Sequence, residues 1–354
     1  MTMRGAVLSF HDHLGRPVKA GVVGASGYLG AELLRLLAGH PGLELVAAQA
    51  DSSAGSRLSA LYPGLTGAYG GLVLGEVDAE ALGGCDVVFV AVPSGRSQQL
   101  VASLVDRVGC VVDLGPDFRL RDPRAYDTWY GFTHSAPELL ARSVFGLPEL
   151  FRKELPGAPL VASPGCYVTA ASVALAPLVS AGVIEPSGII VDAASGSSGA
   201  GRALSAETHH GTVNESFSAY KLLHHRHTPE IEQTIGAQVL FTPHIAPMTR
   251  GILATCYGRA SAPTSTEEVL ALLSTAYAGE PFIQVVEEAP ATRETYGSNN
   301  VRITARYDAR TGHVLVLSAI DNLTKGGAGQ ALQAANVALG LPETAGLPRV
   351  ALTP

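Results

Sequence analysis

The 354-residue chain has little charge, little cysteine and no long apolar run. Charged residues make up 16% of it, the net charge is −7, and Lys and Arg form no run. Nucleic acid and anionic membrane are therefore poor partners. Four cysteines in a chain of this length make no disulfide framework, and none forms a C-x-x-C pair. Cys85, Cys110 and Cys256 lie in or beside apolar β-like runs and read as inert core thiols. A reducing, cytoplasmic compartment fits best. No apolar run approaches the roughly 20 residues needed to span a bilayer. Ala6-Val7-Leu8 is too short for the apolar core of a signal peptide, and residues 1–16 read as a loose N-terminal tail. What the chain does have is apolar residues, 47% of the total, and length for about two domains, each with its own core.

A first strand at 18–23 runs into Gly24-Ala25-Ser26-Gly27-Tyr28-Leu29-Gly30, and a helix-forming run at 31–37 follows. In that setting a G-x-x-G-x-x-G pattern reads as a dinucleotide site. Without side chains, backbone N–H groups can approach a pyrophosphate at the helix N-terminus. The second strand, 43–48, ends near Asp51, where a fold of this kind meets the adenosine ribose. An acidic residue suits the free 2′-hydroxyl of NAD. Here Ser52, Ser53, Ser56 and Arg57 add a phosphate-friendly cluster, and the balance leans to NADP. Apolar strands at 86–93 and 110–115, alternating with helices, give a doubly wound α/β domain. Just beyond, Arg119 offers a guanidinium fork for phosphate or carboxylate, whereas Arg121 reads as surface.

The stretch Ser163-Pro164-Gly165-Cys166-Tyr167-Val168-Thr169 joins an apolar run at 160–162 to a helix-forming run at 170–176. Pro and Gly force a sharp turn between them. Cys166 is thereby expected at a helix N-terminus, where unpaired N–H groups and the helix dipole favour an anion. The thiolate is the reactive form, so the expectation is a pKa below the free value of about 8.5. A buried structural thiol, the commoner fate of a free cysteine, is the competing reading.

Beyond Cys166 strands are expected at 189–194, 238–242, 251–257, 301–306 and 313–318, with helices at 266–278 and 328–339. Strands in a row with few helices predict an antiparallel sheet and an α+β second domain. A second Gly/Ser-rich loop, Ser195-Gly196-Ser197-Ser198-Gly199-Ala200-Gly201-Arg202, suits a nicotinamide end or a substrate phosphate, or else serves as a connector. His224, His225 and His227 cluster, but neither His209-His210 nor any cysteine completes a ligand spacing, so no metal is expected. Acid–base work by His225 or His227 is the better reading, and spacing does not rank the two. In an extended segment both would point to one face and Arg226 to the other.

These motifs together resemble the N-acetyl-γ-glutamyl-phosphate reductase family. The resemblance rests on Gly24-Ala25-Ser26-Gly27-Tyr28 with Gly30, Asp117-Phe118-Arg119-Leu120, Gly146-Leu147-Pro148-Glu149 and Pro164-Gly165-Cys166-Tyr167. It continues through Ser195-Gly196 with Ser198-Gly199-Ala200-Gly201, His225-Arg226-His227-Thr228-Pro229-Glu230, Arg250-Gly251-Ile252-Leu253, and Ala319-Ile320-Asp321-Asn322-Leu323 with Lys325-Gly326. Val168 departs from the family's usual Pro, and the region between Phe132 and Phe145 shows no matching motif. The alternatives are the related reductase of a carrier-bound aminoadipyl phosphate in lysine biosynthesis, where the cysteine motif reads A-G-C-N, and a non-catalytic NADP-binding sensor.

The resemblance implies a Rossmann NADP-binding domain at 17–164 and 323–354. Residues 165–322 would form an α+β catalytic and oligomerisation domain of the semialdehyde-dehydrogenase and glyceraldehyde-3-phosphate-dehydrogenase type. It implies NADPH-dependent reduction of N-acetyl-γ-glutamyl phosphate to the 5-semialdehyde, in arginine biosynthesis, by a homodimer or homotetramer. Cys166 would form a thioester and His225 or His227 would move the proton. NADP(H) would meet Gly24, Ser26, Gly27, Tyr28, Gly30, Ser52, Ser53, Arg57, Pro93, Ser195, Gly196, Gly199 and Asn322. The small-molecule substrate would meet Arg119, Arg202 and Glu230.

Overall fold

The computed structural model describes residues 15–353, so residues 1–14 of the expected tail lie outside the described residues. Arg16 is described and forks onto the Asp86 carboxylate at 2.7 and 2.9 Å. The chain makes two compact units. The first takes the chain up to Phe118, Ala141–Ser163 and Ala331–Leu347; the second takes Arg119–Leu140, Pro164–Gln330 and the chain from Pro348.

In the first unit six strands form one parallel sheet. They are β1 (Val18–Val23), β2 (Leu43–Gln49), β3 (Val87–Val90), β4 (Cys110–Asp113), β5 (Ser143–Phe145) and β6 (Leu160–Ala162), in the order β2-β1-β3-β4-β6-β5. Every residue of β3 and β4 is buried, as a parallel sheet covered on both faces requires. The order reverses at β1, which has β2 on one side and β3 on the other; ligands collect at the strand ends beside such a switch. Helix α1 (Tyr28–Leu37) leaves that end of β1 and buries Leu33, Leu34, Leu36 and Leu37. Helix α2 (Ser97–Leu104) follows β3. Asp117 accepts the N–H groups of Gly95 (2.8 Å) and Ser97 (3.2 Å) there, an acid at a helix N-terminus. At the α1–β2 corner the buried His40 accepts the N–H groups of Gly42 and Leu43 on Nδ1, and its Nε2 meets Asn336 Oδ1 at 3.0 Å. Asn336 Nδ2 donates in turn to the carbonyls of Glu343 and Ala345.

The second unit contains α3 (Cys166–Ser180), β7 (Ile189–Gly196), β8 (Ser218–Ala219), α4 (Thr228–Ile235), β9 (Val239–Ala246), β10 (Ile252–Arg259), α5 (Thr266–Ala276), β11 (Ile283–Val285), β12 (Val301–Asp308) and β13 (His313–Ile320). The strands form a sheet in the order β11-β12-β13-β10-β7-β9-β8. It is mixed, which corrects the antiparallel expectation: β7 pairs β9, and β11 pairs β12, in parallel. Parallel neighbours need a crossover between them, and the crossover from β7 to β9 contains α4. Pro229 in the first turn and Gly236 at the left-handed C-cap (φ 70°) bound that helix.

Helix α3 is apolar nearly all round and covers one sheet face, against β10 and β13, with α4 and α5 beside it. Along β10 the residues alternate, with Ile252, Ala254, Cys256 and Gly258 facing that core. On the opposite face Leu240, Ile190, Tyr257 and Leu315 stand in register across β9, β7, β10 and β13. The first three of these are exposed. Among the described residues no helix is long and apolar enough to cross a membrane.

Candidate active site

Cys166 is the first residue of α3, and Gly165 caps the helix in extended conformation with no side-chain cap. The Pro-Gly pair thus does what its local chemistry requires, ending β6 and opening a helix on the cysteine. The Gly165 N–H donates to Glu230 Oε1 at 2.8 Å, and Glu230 Oε2 lies 3.4 Å from Arg119 Nη1. Both Glu230 oxygens are therefore engaged by the protein, and the residue is fully buried. Gln233, a turn further along α4, donates to the Arg119 carbonyl and accepts the Arg121 N–H, which brings segment 119–121 beside the cysteine turn.

The imidazole of His227 packs flat against this turn. A Cβ added at Gly165 would sit 2.3 Å from His227 Nε2, so only glycine leaves the ring its place. A Cβ at Gly326 would likewise come within 2.9 Å of the Cys166 Cβ. Gly326 lies in a π-helical turn, Thr324–Ala328, of the kind often found at functional sites.

His225 and His227 are both buried and Arg226 is exposed, so the two rings share a side as expected. They do so through a tight turn and not an extended segment: His227 has helical angles and its N–H donates to His225 Nδ1 at 3.1 Å. With Nδ1 accepting, neutral His225 carries its proton on Nε2, which meets Tyr220 Oη at 3.5 Å. Tyr220 Oη lies 3.4 Å from Tyr167 Oη, which donates to the His244 carbonyl at 2.9 Å. His225 is thus used on both nitrogens. His227 Nδ1, fully shielded from solvent, has no hydrogen-bond partner among the described residues.

Electrostatics overturn one expectation. Cys166 keeps a partly accessible surface, yet the surrounding protein solvates its charged form poorly. Burial pushes the thiol up to about 11, outweighing the N–H groups of Tyr167 and Cys166 and the nearby Arg119. Cys166 therefore rests as a thiol and not as the thiolate that its helix position alone predicted. Burial, with help from Arg226 and Lys221, pulls His225 down to about 3. Burial and then His225, Arg119, Arg226 and Lys221 hold His227 well below the ordinary histidine value. Glu230 is raised by burial against the opposing pull of Arg119. Cys110 and Cys256 are buried and pushed up to about 12, and Cys85 is raised as well, in keeping with inert core thiols.

The remaining expected residues divide between the units. In the second, Ser195 and Gly196 end β7, and a Cβ on Gly196 would meet the Thr249 carbonyl oxygen at 2.5 Å. Asn322 uses its amide internally, accepting the Gly251 N–H at 2.7 Å and donating to Ser198 Oγ at 2.9 Å. Gly199 and Arg202 are exposed. In the first unit Gly24 has φ +81° and faces the Ala91 carbonyl, where a Cβ would lie 2.1 Å from the oxygen. A Cβ on Gly30 would lie 2.3 Å from the Gly24 oxygen, whereas one on Gly27 would make only an ordinary 3.4 Å contact with that oxygen. Gly27 caps α1 without a side chain, Tyr28 begins the helix, and the Ser26 carbonyl accepts the Tyr62 hydroxyl at 2.8 Å. Ser52 and Arg57 are exposed after β2, Ser53 is half-buried there, and Pro93 is exposed after β3. Sequence reasoning did not single out Tyr167, Tyr220, Lys221 or Arg226 as site residues. Their part depends on a turn geometry that no spacing announces.

Two family profiles match the chain: "Semialdehyde dehydrogenase, NAD binding domain" over 19–158 and "Semialdehyde dehydrogenase, dimerisation domain" over 166–322. The N-acetyl-gamma-glutamyl-phosphate reductase of Symbiobacterium thermophilum is 50% identical over 339 residues, covering 93% of this chain and 97% of its own. That of Pelotomaculum thermopropionicum is 47% identical over 346 residues, covering 95% and 99%. Among solved structures, aspartate semialdehyde dehydrogenase II from Vibrio cholerae, complexed with ASA, is similar with a TM-score of 0.69 at 16% identity over 91% of this chain and 98% of that one. Aspartate semialdehyde dehydrogenase with NADP from Candida albicans gives 0.63 at 17% identity, with the same coverage.

Fold and matched domains together define an oxidoreductase of the semialdehyde dehydrogenase type, with an NAD(P)-binding half. The near full-length identity narrows this further. The chain belongs to the N-acetyl-γ-glutamyl-phosphate reductase family.

Proposed function

We propose that the chain reduces N-acetyl-γ-glutamyl phosphate to N-acetylglutamate 5-semialdehyde and phosphate through a thioester on Cys166. The observation that carries this reading is the cysteine at the start of α3 with the His227 ring against its turn and the Nδ1 of that ring buried without a partner among the described residues. A buried nitrogen without a partner awaits a group that arrives with the ligand. His227 is accordingly assigned the proton transfers, and His225, held on both nitrogens, the positioning of the His227 backbone.

Thiol and imidazole both rest neutral, so the proton moves as the sulfur attacks. Cys166 Sγ bonds to the γ-acyl carbon, its proton passes through His227 to the departing phosphate, and the acyl–phosphate C–O bond breaks. N–H groups at the start of α3 face the charge that develops on sulfur and oxygen. Arg119, Arg226 and Lys221 supply the positive field for a substrate bearing phosphate and carboxylate. Glu230 is assigned to fixing the Gly165 turn and Arg119. After reduction the tetrahedral oxyanion re-forms its C=O bond as the C–S bond breaks, and the Cys166 thiolate so released takes a solvent proton through His227.

The 24–30 turn fits a dinucleotide, since Gly24 and Gly30 let strand, turn and helix backbone close on one another and α1 begins after Gly27 without a side-chain cap. Ser52, Ser53 and Arg57 favour the 2′-phosphate, hence NADP(H), with Pro93 beside the strand ends of the same unit. Held there, the reduced cofactor would supply the hydride that the acyl carbon needs to reach the aldehyde level. A second copy of the chain covers the open sheet face, giving a homodimer or the dimeric half of a homotetramer, and the reading places the enzyme in the cytoplasm.

Mass spectrometry after mixing enzyme with N-acetylglutamyl phosphate, NADPH omitted, tests the chemistry. The expected result is an acyl adduct on Cys166 and none in Cys166→Ser. A Cys166→Ser enzyme that still reduces the acyl phosphate at a comparable rate would overturn the thioester.

A further inference from the structure

The crossover from β7 to β9 begins as an exposed strap whose bonding is thin. Its strand, β8, lies at the sheet edge and pairs only Ser218 with Ile245 and Ala219 with His244, continued by the Tyr220 N–H to the Pro243 carbonyl. Residues on either side of it, Glu215 (φ 59°), Lys221 (46°) and Leu223 (62°), hold left-handed backbone without being glycine. Such conformations persist only where the surroundings enforce them. Here the surroundings are mostly water: Phe217 is 61% exposed, Leu222 59% and Leu223 66%.

Alternation along this strand sends its side chains to two destinations. Tyr220 points inward, to Tyr167 and His225. Phe217 points outward and stacks on the His244 ring, centroids 4.9 Å apart and planes 7° apart. His244 shares its face of β9 with Leu240, and Leu240 stands in register with Ile190 and Tyr257. Phe217 therefore extends the open apolar face, and the residue that touches His225 lies on the reverse of the same short strand.

We propose that a second copy of this chain, seated on the open face, clamps Phe217 and so holds Tyr220 and His225 in place, leaving His225 and, through its backbone, His227 fully ordered only in the dimer. This rests on the dimer reading given above. The occupant is argued from continuity: the face lies in the segment matched by a dimerisation domain, and apolar rows of this kind mark association surfaces. Phe217 acts as a positioning residue, through Tyr220.

The test begins with the assembly of the wild type by sedimentation. A monomer at all concentrations refutes the dimer reading itself and the clamp with it. Given a dimer, Leu240→Asp and Ile190→Asp should yield monomers that keep the far-UV spectrum and NADPH binding. Their turnover should fall about 100-fold, the cost of a catalytic group displaced by an ångström. A folded monomer with wild-type turnover would overturn the clamp while leaving the dimer intact. Should these variants fail to fold, dilution of the wild type serves instead, with specific activity falling in step with dissociation; constant specific activity through dissociation is the overturning result. Phe217→Ala, held at concentrations where it is dimeric, should lower kcat with little change in KM and shift the His225 ring resonances, and Phe217→Trp should restore both. Unchanged kcat and resonances in dimeric Phe217→Ala would refute the clamp.

Discussion

At the scale of single residues the two histidines part company. His227→Asn removes the group assigned to proton transfer and should lower turnover by roughly 10²–10⁴ with NADPH binding unchanged. His225→Asn should cost less, since it touches the backbone and a tyrosine. Equal losses in the two variants would undo the ranking. Because burial keeps His227 neutral and Cys166 protonated, kcat/KM should run flat across neutral pH, with no acid limb near the ordinary histidine value of about 6.5. Iodoacetamide should label Cys166 of the free enzyme slowly at pH 7 and faster toward the thiol's raised value; rapid labelling with a midpoint below 8.5 would show a preformed thiolate. Gly165→Ala is allowed by its backbone angles (φ −67°), so its effect is purely steric. The added carbon displaces His227, and turnover should drop about 100-fold with the fold intact. The Pro-Gly signal made the place of Cys166 legible in the sequence. Its protonation state was not, because helix position is a local property and desolvation depends on chain segments far away, Gly326 among them.

Elements were legible wherever their hydrophobic period was strong and their packing ordinary. Strands β1, β3, β4, β10 and β13 and helix α5 lie where alternation and apolar runs placed them. Helix α4 was missed, though Pro229 and Gly236 marked its ends, because eight residues carry too few apolar positions to show a period. Missing it cost the parallel pairing of β7 with β9, which only a crossover explains. The buried corner at His40 yields a prediction of its own. Burial, against the bond to Asn336, holds His40 below the ordinary value. The unfolded chain therefore binds more protons than the folded one between that lowered value and about 6.5. Stability from this group is complete above about 6.5 and is lost as pH falls through the window, with a slope of at most about 1.4 kcal/mol per pH unit. Urea unfolding from pH 5 to 8 should show a flatter dependence in His40→Gln than in the wild type. Identical slopes would mean that His40 is not held neutral.

For the whole molecule, cofactor preference is a stability statement. A ligand at about 100 times its Kd adds about 2.7 kcal/mol to the native state. NADPH should raise the melting temperature more than NADH at equal concentration, and Arg57→Ala should narrow the difference; equal shifts in the wild type would remove the 2′-phosphate assignment. The division of the chain was harder to read than either sheet, because segments 119–140 and 331–347 each cluster away from their sequence neighbours. Gln233 and Glu230 hold the first through Arg119, and the carbonyl of Ala338 holds the second through the Gly157 N–H, contacts between positions too distant for any local pattern. The long crossover has a kinetic consequence. Tyr220, His225, His227 and Glu230 all ride on the chain between β7 and β9, which can close only when those distant strands find each other. Non-local pairing of this kind is slow, since the loop must lose its freedom before any contact rewards it. During refolding, helical signal from α3 and α5 should return first and enzymatic turnover last, so the order of recovery times the meeting of β9 with β7.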